Sequence, residues 1–589
     1  TTLTPRGPDA CGVWLSERAG LAHRRLVVVD PAGGAQPMLR QRGEEKYVLT
    51  YNGELYNTEE IRQELRSKGY TFQGHSDTEV LLMAYIEWGK ACLSKLNGIF
   101  AFAVWEEKRE TLFMARDRMG VKPLFYTQRG SAFLFASELK ALLSHPMVKP
   151  EIDSEGLAEI FIMGPARTPG HGIFRGIKEL RPGYCLTYSR NKLQVERYWS
   201  LMSTPHHDNL ETTTEKIHEL FIDTVERQLV ADVPVCTLLS GGLDSSAITA
   251  VAANYYQRLG LGPLHTFSVD YTDNDRYFKP SAFQPNADAP FIDLVTKQCG
   301  TVHHSITVDT QQLVDALLPA MRAKDLPGMV DVDSSLLLFC REIKKHSTVA
   351  LSGECADEIF GGYPWFHSEE ALSSNTFPWA RMTAERGALL NPELARVIRP
   401  EEYMAYRYEQ TVAEVPLLPE ENTRDAKIRR LFYLNLTWFM NTLLDRKDRM
   451  SMATGLEVRV PFADHRIIEY LWNVPWKQKF ADQREKGILR RALKGLLPEE
   501  ILARRKSPYP KTHNPAYTAA VKDWLLTILN DSSSPLLSLI DREAVLNIVE
   551  TQSANTSFPW FGQLMSGPQL FAYLAQVDTW LREYKVSIK

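Results

Sequence analysis

Apolar positions fall in short alternating runs over the first third of the chain and recur at helical spacing over the rest. Runs at Leu21–Asp30, Lys46–Asn52, Ile99–Trp105, Thr111–Asp117 and Ala132–Ser137 carry β-branched or aromatic residues between Gly, Asp or Pro, and predict strands. Helices are predicted over Glu59–Lys68 and from an Asp77 or Thr78 cap through Glu79 to Trp88. Strand-rich layers with helices outside them make an α+β sandwich. Ser200 to Asn209, with Ser, Thr, Pro and two His, reads as a linker, set at residues 201–210. From Glu211 helical periodicity dominates, interrupted by strand patterns at Val233–Leu239, Leu264–Asp270 and Ser347–Leu351. Strand alternating with helix predicts a parallel sheet that binds ligands at its strand C-terminal ends. Beyond about residue 370 the pattern is mostly helical, and no internal repeat is visible. The expected organisation is a sandwich over 1–200, the linker, and an α/β domain with a helical C-terminal part over 211–589.

Composition narrows the class. A chain of 589 residues exceeds one core, and 44% apolar with 24% charged residues is ordinary for a globular protein. A formal net charge of −4 points to neither nucleic acid nor an anionic membrane. No apolar run is long enough to span a bilayer. The seven Cys are scattered and form no C-x-x-C pair, which argues against a disulfide framework or zinc site and for a reducing cytoplasm. His206-His207 and His303-His304 are adjacent pairs; on a strand such neighbours face opposite ways, and structural roles are expected.

The chemistry is concentrated at two turns. Leu238 to Ser246 reads Leu-Leu-Ser-Gly-Gly-Leu-Asp-Ser-Ser between a β-prone run and an Ala-rich helical run. A strand breaking into a helix through Ser-Gly-Gly presents free backbone N–H groups at the positive end of the helix, which suits a phosphate. Gly241 and Gly242 lack the Cβ atoms that would block approach, Ser240, Ser245 and Ser246 add hydroxyls, and Asp244 fits a Mg²⁺ ligand beside phosphates. The stretch lacks the Lys of G-x-x-x-x-G-K-[ST] and looks like the pyrophosphate loop of the N-type ATP pyrophosphatases. Ser352 to Tyr363 repeats the arrangement, as Ser-Gly-Glu-Cys-Ala-Asp-Glu-Ile-Phe-Gly-Gly-Tyr after another β-run. In a doubly wound sheet both turns share one rim, so Asp357 could meet Asp244 across one Mg²⁺. An acidic helix start is the alternative for this second stretch.

Together with Arg6-Gly-Pro-Asp9, Tyr51-Asn-Gly-Glu-Leu-Tyr-Asn57, Ser76-Asp77, Arg116-Asp117, Gly120-Val-Lys-Pro123, Leu456-Glu-Val-Arg-Val-Pro-Phe462 and Glu485-Lys486, these turns resemble glutamine-dependent (class B) asparagine synthetase over essentially the whole chain. The resemblance implies a glutaminase domain of the N-terminal-nucleophile type, an αββα sandwich, followed by an ATP pyrophosphatase-like synthetase domain. It implies that ATP adenylates the aspartate side chain and that ammonia from glutamine displaces AMP. Arg25 would clamp the glutamine carboxylate with Val29 lining the pocket; Asn52 and the Gly53 N–H would form an oxyanion hole; Glu54 and Asp77 would hold the α-amino group. A hairpin turn is the alternative for Asn52-Gly53. Ser240 to Ser246 would hold the ATP phosphates, Leu238 and Val269 the adenine side, and Ser352 and Gly353 the nucleotide pocket. Glu354 would be the base for ammonia and Lys486 would offset charge on pyrophosphate, with Arg459 a weaker candidate for substrate or phosphate contact. The carboxylate pocket is expected around Asp325 to Ser335 and near Asp448. ATP and Mg²⁺ are the implied cofactors, small molecules the implied partners, and a homodimer one option for assembly.

The family's nucleophile is an N-terminal Cys on a strand ahead of Arg-Gly-Pro-Asp, whereas Thr1 stands five residues before Arg6. Thr1 and Cys11 are poor substitutes, and the parent protein is expected to carry the Cys segment. A protein starting at Thr1 is expected to use ammonia at most. Cys355 stands where the family more often has Gly. The same chemistry on another carboxylate (peptide, sugar or secondary metabolite) is the competing reading; a non-catalytic relative would be expected to have lost Asp244, Glu354 or Lys486.

Overall fold

The computed structural model describes residues 1–190, 192–277, 287–380, 382–551, 560–562 and 564–589. The N-terminal part carries β1 (Ala10–Leu15), β2 (Gly20–Arg25), β3 (Met38–Arg42), β4 (Glu45–Leu55), β5 (Gly98–Glu106), β6 (Thr111–Arg116), β7 (Phe125–Arg129), β8 (Ala132–Ala136), β9 (Glu151–Ile152), β10 (Ile177–Glu179), β11 (Tyr184–Ser189) and β12 (Lys192–Arg197). Antiparallel pairing gives a six-stranded sheet, β12-β11-β6-β5-β4-β3, and a three-stranded one, β10-β7-β8. The period of two sorts the layers. Tyr47, Leu49, Tyr51, Phe100 and Phe102 bury against Ile61, Leu65, Val80 and Leu81 of the helices Thr58–Ser67 and Asp77–Trp88. Val48, Ala101, Ala103 and Met114 face Leu124, Tyr126 and Leu180 on the other side.

Two local expectations need correction. The strand predicted over Leu21–Asp30 stops at Arg25, because Arg25 turns its guanidinium onto the carbonyls of the loop that follows. The cap of the second helix is Ser76, whose hydroxyl accepts from the Glu79 N–H, not Asp77 or Thr78.

The second domain is built on β13 (Val235–Leu238), β14 (His265–Tyr271), β15 (Val302–Val308), β16 (Val349–Leu351) and β17 (Glu457–Arg459), an all-parallel sheet in the order β15-β14-β13-β16-β17. Both faces are covered, as parallel sheets require. Cys236, Phe267 and Ala350 pack on Leu336, Cys340 and Ile343 of the helix Asp331–Lys344. Val235 and Leu351 share the opposite core with Ala247 and Val251 of the helix Leu243–Leu259. Polar sequence hid β15: His303 bonds Thr266 and Ser268 on one face, and His304 bonds His265 at 2.9 Å on the other.

The two domains meet through buried charge. Arg6 forks onto Asp448 at 2.7 and 2.8 Å and reaches Glu138 at 3.1 Å. Lys140 reaches Asp325 at 3.2 Å, and Lys122 reaches Glu457 at 3.4 Å. β18 (Ser587–Ile588) pairs with β9, so the last strand of the chain adds to the N-terminal half. Buried pairs of this kind fix geometry more than they add stability.

Candidate active sites

Both Ser-Gly turns leave neighbouring strands of the parallel sheet on the same rim. After β13, Gly241 adopts φ +66°, and a Cβ there would lie 2.7 Å from Phe291. The Ser240 and Ser245 hydroxyls meet at 3.0 Å, and Gly242 starts the helix Leu243–Leu259 with no side-chain cap, which leaves its first N–H groups for a ligand. After β16, Gly353 comes so close to the first turn that an added Cβ would stand 3.1 Å from Asp244 Cβ. Cys355 adopts φ +77°, the left-handed region that glycine occupies at less cost.

Lys486 closes the site. Its Nζ lies 2.5 Å from Asp244 Oδ2 and 2.6 Å from Asp357 Oδ1, and Lys506 also pairs with Asp357. Gly362 allows this, since a Cβ there would fall 1.9 Å from Asp357 Oδ1 and 2.5 Å from Lys486 Cε. Burial raises the Asp357 carboxyl, but the ammonium groups of Lys486 and Lys506 outweigh it and hold it at about 2. Burial and the charge of Asp357 leave Asp244 above its ordinary value. Glu354 takes 2.6 Å from Lys447 Nζ and a hydroxyl hydrogen bond from Ser352; these overcome burial and keep it ionised. Burial and the charge of Asp357 push Glu358 up to about 7, against the hydrogen bond it accepts from the Tyr363 hydroxyl at 2.6 Å.

A cavity of about 260 Å³ joins these groups. Leu238, Ser240, Gly242, Asp244, Ser245, Val269, Ser352, Gly353, Glu354, Asp357 and Lys486 all line it. Gly241 and Ser246 do not; Gly241 backs onto Phe291, and Ser246 is fully buried in its helix. Met329, Val332, Arg446 and Lys447 also line it, from the stretches where the carboxylate pocket is expected, while Asp325 and Asp448 themselves turn into the domain interface onto Lys140 and Arg6. Arg459 is corrected too. It is buried at the interface, bonded to Glu457 at 2.9 Å and to the carbonyls of Gln228 and Val230 at 2.7 Å. Nothing in the sequence marks Lys447, Lys506 or Arg504, which sit in the charge runs Asp445–Arg449 and Arg504–Lys506.

The Asp244 Oδ1 atom is buried without a hydrogen-bond partner. Two carboxylates on one cavity with a free oxygen fit a hard divalent cation. No cluster of three His, Cys, Asp or Glu suited to a metal occurs among the described residues, so phosphates and water would complete such a shell.

The second cavity, of about 540 Å³, lies in the sandwich and is lined by Arg25, Val29, Asn52, Gly53, Glu54 and Asp77. Asn52 and Gly53 sit inside β4, opposite Ala101 and Phe100, so they are not a hairpin turn. Gly53 has φ +153°, and a Cβ there would meet the Ile99 carbonyl oxygen at 2.0 Å. The Asn52 amide nitrogen is buried and donates to nothing. Arg25 donates to the carbonyls of Pro31, Val29 and Asp30 at 2.9, 2.9 and 2.7 Å, which braces the loop at the pocket wall. Asp77 accepts from the Tyr51 hydroxyl at 2.8 Å and the Leu55 N–H at 3.0 Å. Burial raises both Glu54 and Asp77, Glu54 further through the nearby charges of Asp77 and Glu457. Cys11 is exposed on β1 opposite Arg24.

A sandwich with an orphaned amide donor over an acidic pocket, joined to a parallel sheet with paired phosphate-type turns, defines an amidotransferase coupled to a nucleotide-using synthetase. The asparagine synthase family pattern matches residues 216–582 and the glutamine amidotransferase domain pattern residues 1–199. The chain is 57% identical over 100% of its length, and 95% of the relative's, to asparagine synthetase [glutamine-hydrolyzing] 3 of Bacillus subtilis (strain 168). It is 30% identical to asparagine synthetase [glutamine-hydrolyzing] 1 of the same organism, over 94% of this chain and 89% of that one. Asparagine synthetase B [glutamine-hydrolyzing] of Escherichia coli (strain K12) is 29% identical, over 86% and 76%. The chain belongs to the glutamine-hydrolysing asparagine synthetase family.

Proposed function

We propose that the chain converts L-aspartate to L-asparagine through a β-aspartyl adenylate, with nitrogen from glutamine hydrolysed in the sandwich domain or from free ammonia. The observation that carries this reading is the convergence of both Ser-Gly turns on Lys486 in a chain that also holds a built glutamine chamber. A β-carboxylate oxygen of aspartate attacks the α-phosphorus of ATP, and pyrophosphate leaves. Ammonia then attacks the acyl carbon, AMP leaves with the bridging oxygen, and the nitrogen gives up a proton.

The roles follow from chemistry. Ser240, Gly242 and Ser245 cradle phosphate oxygens at the helix N-terminus. Lys486 exchanges its two carboxylates for the departing pyrophosphate. Glu354, kept ionised by Lys447, takes the proton from nitrogen. Asp244 and Asp357 would hold Mg²⁺, which, when bound, neutralises phosphate charge and fixes the triphosphate. In the sandwich, Asn52 and the Gly53 N–H would stabilise the tetrahedral oxygen, and Arg25, Glu54 and Asp77 would take the charged ends of glutamine.

Domain boundaries at residues 200 and 211 agree with the absence of helix or strand over residues 198–209. Seven free cysteines fit a reducing cytoplasm. No helix among the described residues is long and apolar enough to cross a membrane. A homodimer is the assembly to test by sedimentation. The competing reading, another carboxylate, has less support, because the 57% identity runs the full length of the chain.

The test is product analysis with ATP, Mg²⁺, ammonia and a panel of carboxylates. Aspartate is expected to yield asparagine, AMP and pyrophosphate in equal amounts. Turnover with another carboxylate and none with aspartate would reject the substrate.

A further inference from the structure

Behind the nucleotide cavity lies a second pocket of the synthetase domain, about 470 Å³, that the reaction does not use. The helix Trp476–Lys479, one turn long after Pro475, points Lys479 into it. Lys479 is only 3% exposed, and no carboxylate among the described residues lies within ion-pairing distance. Its ammonium sits 3.7 Å over the Phe432 ring, and burial together with the nearby Arg429 holds the amine well below its ordinary value. Arg429 is already matched, with Nε at 2.8 and 2.9 Å from the Glu421 oxygens. A buried amine facing a cavity without an anion is costly unless a ligand supplies one.

The opposite charge lines the same pocket in excess: exposed Glu420 and half-buried Asp425 have no cationic partner among the described residues. Trp472 and Trp476 line it as well. A positive end, a negative end and an aromatic slot complement a zwitterion with an apolar body. Trp476 and Phe432 also form the wall toward the adenylate loop; a Cβ on Gly361 would lie 2.6 Å from the first ring and 3.3 Å from the second.

We propose that this pocket binds a free apolar or aromatic α-amino acid, its carboxylate on Lys479, its ammonium on Glu420 and Asp425, and its side chain against Trp472 and Trp476. Occupancy presses on Trp476 and through it on the loop that carries Asp357.

Calorimetry on the full chain, with saturating glutamine and aspartate to fill the reaction sites, tests this with phenylalanine, tryptophan and leucine. At least one is expected to bind with one-to-one stoichiometry. N-acetylphenylalanine, phenylalanine amide, and phenylalanine on Lys479→Met are each expected to bind at least tenfold more weakly. Asp425→Asn, on a half-buried position, serves if Lys479→Met does not fold, and is expected to weaken binding about fivefold. Absence of heat with all three amino acids, equal binding of either capped form, or unchanged affinity in the variants would overturn the proposal.

Discussion

The glutamine and nucleotide chambers both gather buried acids; lysines pull two acids of the nucleotide chamber down, while Asp244 and Glu358 stay raised there as Glu54 and Asp77 do in the other. In the nucleotide chamber Asp357 and Glu354 are held below their ordinary range by Lys486, Lys506 and Lys447. In the glutamine chamber Glu54 and Asp77 are raised by burial; a tyrosine hydroxyl and a backbone N–H reach Asp77, and Arg459 stands 3.5 Å from Glu54. On the proposed function, the difference matches the charge each chamber would receive. The first awaits polyphosphate, so lysines are stored on carboxylates that a cation can later take over. The second awaits an ammonium group, so its acids are left short of positive charge.

Removing the lysine at the centre of the first chamber breaks the comparison most severely. Lys486→Met strands Asp244 in a buried site and leaves Asp357 to Lys506 alone, at a cost of about 4 kcal/mol. Pyrophosphate exchange into ATP is expected to fall roughly a thousandfold, while glutamine binding in the other chamber stays within twofold.

Glu358 sharpens it through pH. Its folded value of about 7 lies above the ordinary 4.5, so the folded state binds the extra proton between those values. The stability it lends is full below pH 4.5 and is lost as pH rises through 7, at most about 3 kcal/mol. Glu358→Gln keeps the neutral form at every pH. Thermal unfolding is expected to show a higher midpoint than wild type at pH 8 and the same midpoint at pH 4.5; a variant equally shifted at both would remove the titration from the account.

Gly362→Ala places a methyl 1.9 Å from Asp357 Oδ1. Relieving that overlap costs about 2 kcal/mol, so ATP is expected to bind about thirtyfold more weakly in equilibrium dialysis. Unchanged affinity would show that the Lys486–Asp357 contact is dispensable. The smallest effect is expected in the second chamber. Arg25→Lys keeps the charge but loses the fork, at about 1.5 kcal/mol; glutamine affinity drops roughly tenfold and exchange is untouched.

Much of this was legible in sequence, for identifiable reasons. Long alternating runs predicted β4, β5 and β6 within a few residues, because one face of each is buried against helices and the other against a second sheet. The Ser-Gly turns were legible because their chemistry lies in contiguous residues. β15 and β17 were not: one is broken by two histidines that satisfy each other's neighbours, and the other is only three residues long. The roles of Lys447, Lys506 and Arg459 depend on partners far away in the chain, such as Glu354, Asp357 and Gln228. A charge run carries no mark of which member turns inward: Arg446 and Lys447 face the cavity, whereas Asp448 binds Arg6 across 442 residues.

The central claim is that two acid-bearing turns meeting at Lys486 transfer an adenylyl group to the side-chain carboxylate of aspartate. Aspartate labelled with ¹⁸O in its β-carboxylate, turned over with ATP, Mg²⁺ and ammonia, tests it by mass spectrometry of the nucleotide product. The account requires one labelled oxygen in each AMP released. Unlabelled AMP, or label found in inorganic phosphate alongside ADP, would contradict it.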